Sequence, residues 1–141
     1  MNEKILIVED NPRNLRLLIM TLRGKGYSLL QTTDGEEALT VAMAERPDLI
    51  IMDIQLPKLD GLEVTRRLRV TPGFSQIPII ALTAYAMKGD REKAIAAGCD
   101  TYVLKPINTR QLPVVVAEML ERRRDSPSIN GDASGEENPG N

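Results

Sequence analysis

Residues 50–61 read IIMDIQLPKLDG. An apolar run, Leu49-Ile50-Ile51-Met52, stops abruptly in a carboxylate, Asp53, and the segment closes on Asp60-Gly61. A strand that is aliphatic throughout, rather than alternating, is one covered on both faces. That is the signature of a parallel sheet layered between helices. Short apolar runs of the same length occupy 4–8 (KILIV), 27–31 (YSLLQ), 77–82 (IPIIAL) and 101–104 (TYVL), so that with 48–52 (DLIIM) five strands are expected.

Helical patterns fill the intervals. Leu15, Leu18, Ile19 and Leu22 keep helical spacing behind Asn11 as N-cap and Pro12 at the first helical position, with Gly26 near the stop. Asp34 and Glu37 are spaced as a capping box ahead of Ala38, Leu39, Ala42 and Met43. Asp60-Gly61 opens a third helix with Val64 and Leu68 on one side, and a fourth runs from about Met87 to Ala97, ending at Gly98. A fifth carries Leu112, Val115, Val116 and Met119; Pro113 blurs its start, because a proline past the first turn loses a hydrogen bond. The alternation is (βα)5 and predicts an α/β fold with a doubly wound five-stranded parallel sheet over residues 1–124. Residues 125–141 (DSPSINGDASGEENPGN) hold one aliphatic side chain, Ile129, and read as a disordered polar tail.

Composition narrows the chemistry. The chain has 141 residues, a net charge of −2 and 27% charged residues, which gives no electrostatic case for nucleic acid. No apolar run approaches the roughly 18 residues of a spanning helix, and no signal peptide precedes the first strand. A single cysteine, Cys99, excludes an internal disulfide, fits a reducing cytoplasm and reads as an inert thiol. There are no histidines, which removes His-based triads, dyads and zinc sites.

The strand ends carry what remains. The first ends in Glu9-Asp10, the third in Asp53, the fourth in Thr83 and the fifth in Lys105-Pro106. In an open parallel sheet these ends share one edge, where ligands bind. Three carboxylates there repel one another unless a cation neutralises them, and an all-oxygen set favours Mg2+, with Mn2+ as the alternative. A carboxylate nucleophile, a metal site, a lysine and a hydroxyl together describe a phosphoryl-accepting aspartate. An aspartate-nucleophile phosphatase needs a second acid two residues on, and Gln55 stands there instead. A flavin-binding relative needs a Ser/Thr/Gly-rich loop where this chain has EDNPRN. A scaffold lacking phosphoryl chemistry would not need Asp53, Thr83 and Lys105 together.

The motifs ILIVEDN (5–11), DLIIMDIQLPKLDGLEV (48–64), IIALTAYA (79–86) and GCDTYVLKPI (98–107) resemble, in order and spacing, the receiver domain of bacterial two-component response regulators. MDIQLP, MKGD and GCDTYVLKPI are similar to the stand-alone DivK-like cell-cycle regulators within the CheY-like group. Met1 and the polar tail suggest a complete, single-domain chain. The resemblance implies the flavodoxin-like strand order 2-1-3-4-5. It implies that Asp53 accepts a phosphoryl group, and that Glu9, Asp10, Asp53 and the Gln55 backbone carbonyl hold Mg2+, with Asp10 the direct ligand and Glu9 acting through water. Glu9 stands where the commoner residue is Asp. Lys105 pairs with the phosphoryl group behind a cis peptide to Pro106. Thr83 and Tyr102 form the switch, with Tyr102 packed inward behind Thr83. Gln55 and Tyr85 sit where water access is tuned. Met87, Lys88, Arg91, Tyr102 and Arg110 belong to the partner face of the fourth helix, fifth strand and fifth helix. The implied partners are a histidine kinase or histidine phosphotransfer protein and a downstream effector or kinase. Neither nucleic acid nor membrane insertion is implied, the location is cytoplasmic, and the chain is a switch rather than a turnover enzyme.

Overall fold

A computed structural model describes residues 2–84 and 88–125. Strands β1 (Lys4–Val8), β2 (Ser28–Thr32), β3 (Leu49–Asp53), β4 (Ile79–Thr83) and β5 (Thr101–Leu104) alternate with helices α1 (Pro12–Leu22), α2 (Gly35–Glu45), α3 (Gly61–Arg69), α4 (Lys88–Ala97) and α5 (Gln111–Asp125). All strand pairs are parallel, in the order β2-β1-β3-β4-β5. The expected (βα)5 fold and strand order are those observed. Tyr85 and Met87 lie outside the described residues, as do residues 126–141 of the expected tail. No helix among the described residues is long and apolar enough to cross a membrane.

Burial explains the continuous aliphatic runs. Alternate residues of each central strand feed two separate cores. Ile5, Ile7, Leu49 and Ile51 pack with Leu18 and Leu22 of α1 and with Leu112 and Val116 of α5. Leu6, Val8, Ile50 and Met52 pack with Ala38 and Ala42 of α2, Val64 and Leu68 of α3, and Ala94 of α4. Each such aliphatic side chain contributes about 1.5–3 kcal/mol on leaving water, so the central strands β1, β3 and β4 carry much of the stability of the fold. Cys99 lies in the second core with the Thr65 hydroxyl 3.9 Å from its sulfur, and burial pushes its thiol above the ordinary range.

Several boundaries move by one or two residues from the expected ones. β3 starts at Leu49, because the Asp48 carboxylate turns away to accept the Lys4 N–H (2.8 Å) and the Arg123 guanidinium (3.0 Å). β3 then runs through Asp53, whose register partner is Leu82. β4 begins at Ile79, after Pro78, which has no N–H to give the ladder. The expected caps are found: Asn11 accepts from Arg13 and Asn14 N–H, Asp34 from Glu37 N–H, and Asp60 from Glu63 N–H. The capping box is shifted, since Glu37 accepts from Thr33 N–H rather than from Asp34. Pro113 lies inside α5, and just before that helix Asn108 Oδ1 accepts from both Arg110 and Gln111 N–H and caps the turn.

Candidate functional site

The C-terminal ends of β1, β3, β4 and β5 bring Glu9, Asp53, Thr83 and Lys105 together. β3 holds Asp53 at 1% exposure, locked between two partners. Its Oδ1 accepts the Gln55 N–H at 3.0 Å, and its Oδ2 receives the Lys105 ammonium at 2.9 Å. Glu9 is completely buried, with Oε2 accepting the Asn11 N–H at 3.1 Å and Oε1 3.3 Å from Lys105 Nζ. Asp10 is exposed at the rim. The Lys105 N–H donates to the Thr83 carbonyl at 2.8 Å, and the peptide from Lys105 to Pro106 is cis. Thr83 is 3% exposed.

The electrostatics follow from the excess of acid. Glu9 is pushed up to about 7, first by burial and then by the neighbouring Asp53 carboxylate, while the Asn11 N–H and Lys105 pull it down. For Lys105 burial works against the charge. The hydrogen bond to Asp53 and the charges of Asp53 and Glu9 outweigh it and hold the ammonium above its ordinary value. One lysine thus serves two buried carboxylates.

The acids fit a hard divalent cation. One oxygen from each of Glu9, Asp10 and Asp53 lies within 4.8 Å of the others. Glu9 Oε1 is buried with the Lys105 ammonium 3.3 Å away but no aligned hydrogen bond among the described residues, so it keeps acceptor capacity for a further cation. Every donor atom in the set is oxygen, which matches Mg2+ better than softer metals.

The loop after Asp53 is fixed by two glycines whose role the sequence does not announce. A Cβ at Gly61 would run into the Asp53 carbonyl and the Ile54 Cα, so α3 starts directly against the backbone of the acid. A Cβ at Gly35 would collide with the Leu59 carbonyl, so α2 also abuts this loop. Lys58, with φ of 67°, closes the loop by reaching the Asp34 carboxylate at 3.6 Å. The signal available in the sequence was only that both glycines follow a capping aspartate.

The expected partner-face residues separate into groups. Arg91 of α4 and Tyr102 of β5 touch, Nη1 donating to the hydroxyl at 2.9 Å. Tyr102 is half-buried against the second core, with its hydroxyl at the surface. Lys88 opens α4, and Arg110 is exposed in the turn before α5. Sequence reasoning missed Arg69. Its guanidinium donates to the carbonyls of Phe74, Ser75, Ile77 and Gly98 and to Asp100 Oδ2, tying α3 to the starts of β4 and β5.

The response regulator receiver domain family matches residues 5–117. The chain is 47% identical over 108 residues to the polar-differentiation response regulator DivK of Brucella anthropi, covering 77% of this chain and 88% of that protein. Among solved structures, it is similar to the receiver domain of sensor histidine kinase PA1611 from Pseudomonas aeruginosa PAO1, which holds a magnesium ion coordinated in its active site cleft. That match has 39% identity and a TM-score of 0.80, over 86% of this chain and 99% of that one. It is also similar to the chemotaxis response regulator CheY4 of Vibrio cholerae, with 28% identity and a TM-score of 0.81, over 84% of this chain and 99% of that one.

Proposed function

The chain belongs to the response regulator receiver domain family, and from that premise we propose that Asp53 accepts a phosphoryl group from a phosphohistidine on another protein. The observation that carries this reading is the Lys105 ammonium set between Asp53 and Glu9 at the strand ends, 2.9 and 3.3 Å from them. The chain contains no histidine, so the donor imidazole belongs to a histidine kinase or a histidine phosphotransfer protein.

In this reading a carboxylate oxygen of Asp53 bonds to phosphorus as the P–N bond of the donor breaks, and the electron pair leaves with the imidazole. Gln55 N–H keeps the carboxylate from rotating, which places the nucleophile before the donor arrives. Lys105 then exchanges its bond to the carboxylate for one to a phosphoryl oxygen. The Thr83 hydroxyl donates to another. Glu9, Asp10, Asp53 and the Gln55 carbonyl are the groups to hold Mg2+, which when bound would neutralise the charge of the phosphoryl oxygens. The unit is residues 1–124, with 125–141 an appendage. The chain turns over only its own phosphoryl group and works in the cytoplasm, with protein partners and neither nucleic acid nor membrane.

The bound phosphoryl group draws Thr83 toward it, and Tyr102 follows. The surface of α4, β5 and α5, including Lys88, Arg91, Tyr102 and Arg110, then presents a different shape to an effector or kinase. Incubation with acetyl phosphate and Mg2+, followed by phosphate-affinity electrophoresis, tests the first step. The wild type is expected to shift and Asp53→Asn is not. Equal labelling of both, or of neither, refutes Asp53 as the acceptor. Equal affinity of a partner for the two forms would refute the switch, because a ligand indifferent to two states shifts neither.

A further inference from the structure

The contact between α4 and β5 ends on one pair of side chains. Arg91 Nη1 donates to the Tyr102 hydroxyl at 2.9 Å, and the guanidinium carbon stands 5.7 Å from the centre of the tyrosine ring. A hydrogen bond from a charged donor and a cation over the ring face act on the same aromatic side chain. Both hold the hydroxyl at the surface, while the ring lies partly buried against the second core.

The sheet register gives the ring somewhere else to go. Tyr102 pairs with Ala81, and Thr83 pairs with Leu104, so Ala81 and Thr83 follow one another on the side of β4 that Tyr102 shares. The residue beside the ring is therefore an alanine, and the next along is the buried hydroxyl of Thr83. On its outer side the ring borders an open apolar hollow lined by Arg91, Glu92, Ile95, Ala96 and Tyr102, where Ile95 is 50% exposed. β4 places Ala81 and Thr83 on that side, neither of them large, and among the described residues Arg91 of α4 is the side chain seen to hold the Tyr102 hydroxyl outward.

We propose that Arg91 is a latch, a positioning residue that holds Tyr102 in its resting, outward place and so sets how much phosphoryl binding is needed to switch the chain. This rests on the reading of Thr83 and Tyr102 as the switch. To move inward, Tyr102 gives up the hydrogen bond and the ring contact with Arg91. The latch thereby opposes switching, and the force of the phosphoryl group on Thr83 has to overcome it. Release also frees the guanidinium and widens the hollow beside Ile95, so the same event that moves the tyrosine remakes the surface a partner meets.

The test uses the full chain with fluorine-labelled tyrosine, the Tyr102 resonance being assigned by Tyr102→Phe. Beryllofluoride with Mg2+ is the phosphoryl analogue. In Arg91→Ala the Tyr102 resonance is expected to lie toward its beryllofluoride-saturated position before any analogue is added. The midpoint of the beryllofluoride titration should fall roughly tenfold, the scale of one charged hydrogen bond with a ring contact. Arg91→Lys, which keeps the charge but not the planar N–H, should fall between. A resonance and midpoint unchanged in Arg91→Ala, with the wild type responding normally, overturn the latch alone. A wild-type Tyr102 resonance indifferent to beryllofluoride overturns the switch reading beneath it.

Discussion

Lys105 Nζ meets Asp53 Oδ2 at 2.9 Å, across a sequence separation of 52 residues, with the lysine side chain 17% exposed and the aspartate almost wholly buried. The pair is held from both sides, by the Thr83 carbonyl under the lysine backbone and by Gln55 N–H on the other carboxylate oxygen. In the proposed reaction the ammonium would stand where negative charge develops during phosphoryl transfer. Lys105→Ala should fold, and should accept a phosphoryl group from acetyl phosphate roughly 10²-fold more slowly. Initial rates of phosphoprotein formation at saturating Mg2+ check this; rates equal to wild type would remove Lys105 from the chemistry.

The acids make the metal-free protein sensitive to pH in a defined direction. Glu9 is raised from 4.5 to about 7 on folding. Its folded form binds the proton more tightly than the unfolded chain, so its favourable contribution is complete below about pH 4.5 and is lost as pH rises through about 7. In EDTA the melting temperature should therefore fall between these values, by about 4 °C or more if 1 kcal/mol is at stake. Saturating Mg2+ should flatten the curve by stabilising the ionised acid, and Glu9→Gln should flatten it without metal. Calorimetry at fixed ionic strength from pH 5 to 8 measures both.

Gly61 and Gly24 should respond differently to the same substitution. A Cβ at Gly61 meets the Asp53 carbonyl and the Ile54 Cα, which are backbone atoms and cannot swing aside. Gly61→Ala should cost about 1–3 kcal/mol and displace Asp53, lowering both stability and phosphoryl acceptance. Gly24 has φ of 83° and nothing within 4 Å of the added carbon. Gly24→Ala should cost about 1 kcal/mol through backbone strain and leave acceptance at Asp53 unchanged. Denaturant melts paired with labelling rates separate the two effects.

Arg69 is the structural counterpart of Lys105 at the opposite edge of the sheet. It satisfies four carbonyls and the Asp100 carboxylate, which itself accepts the Ile79 N–H at 2.8 Å. Arg69→Ala should destabilise the domain by about 3 kcal/mol, since partly buried acceptors lose their donor. Arg69→Lys should recover only part of this, because one ammonium cannot reach so many acceptors. Urea unfolding of the three proteins gives the comparison.

Much of this was legible in the chain itself. The unbroken aliphatic runs of β1, β3 and β4 determine strands covered on both faces, because only a layered sheet removes every residue of such a run from water. Asn11, Asp34 and Asp60 set the helix starts, because an orphan N–H at a helix end takes the nearest side-chain oxygen. Polar residues at four strand ends were enough to place Glu9, Asp53, Thr83 and Lys105 on one edge, because parallel strands in one sheet must share that edge.

Tertiary structure alone decided how those residues divide the work. Glu9 and Asp10 are neighbours of like charge in the sequence, yet one is fully buried against Lys105 and the other exposed. The end of β1 and the loop before α1 choose between them, and local pattern carries no trace of that choice. The Arg69 cluster, the approach of Gly35 and Gly61 to the Asp53 loop, and the grip of Arg91 on Tyr102 are likewise invisible in one dimension. Each joins one element or loop to another, and such contacts exist only once the sheet has fixed where its edges lie.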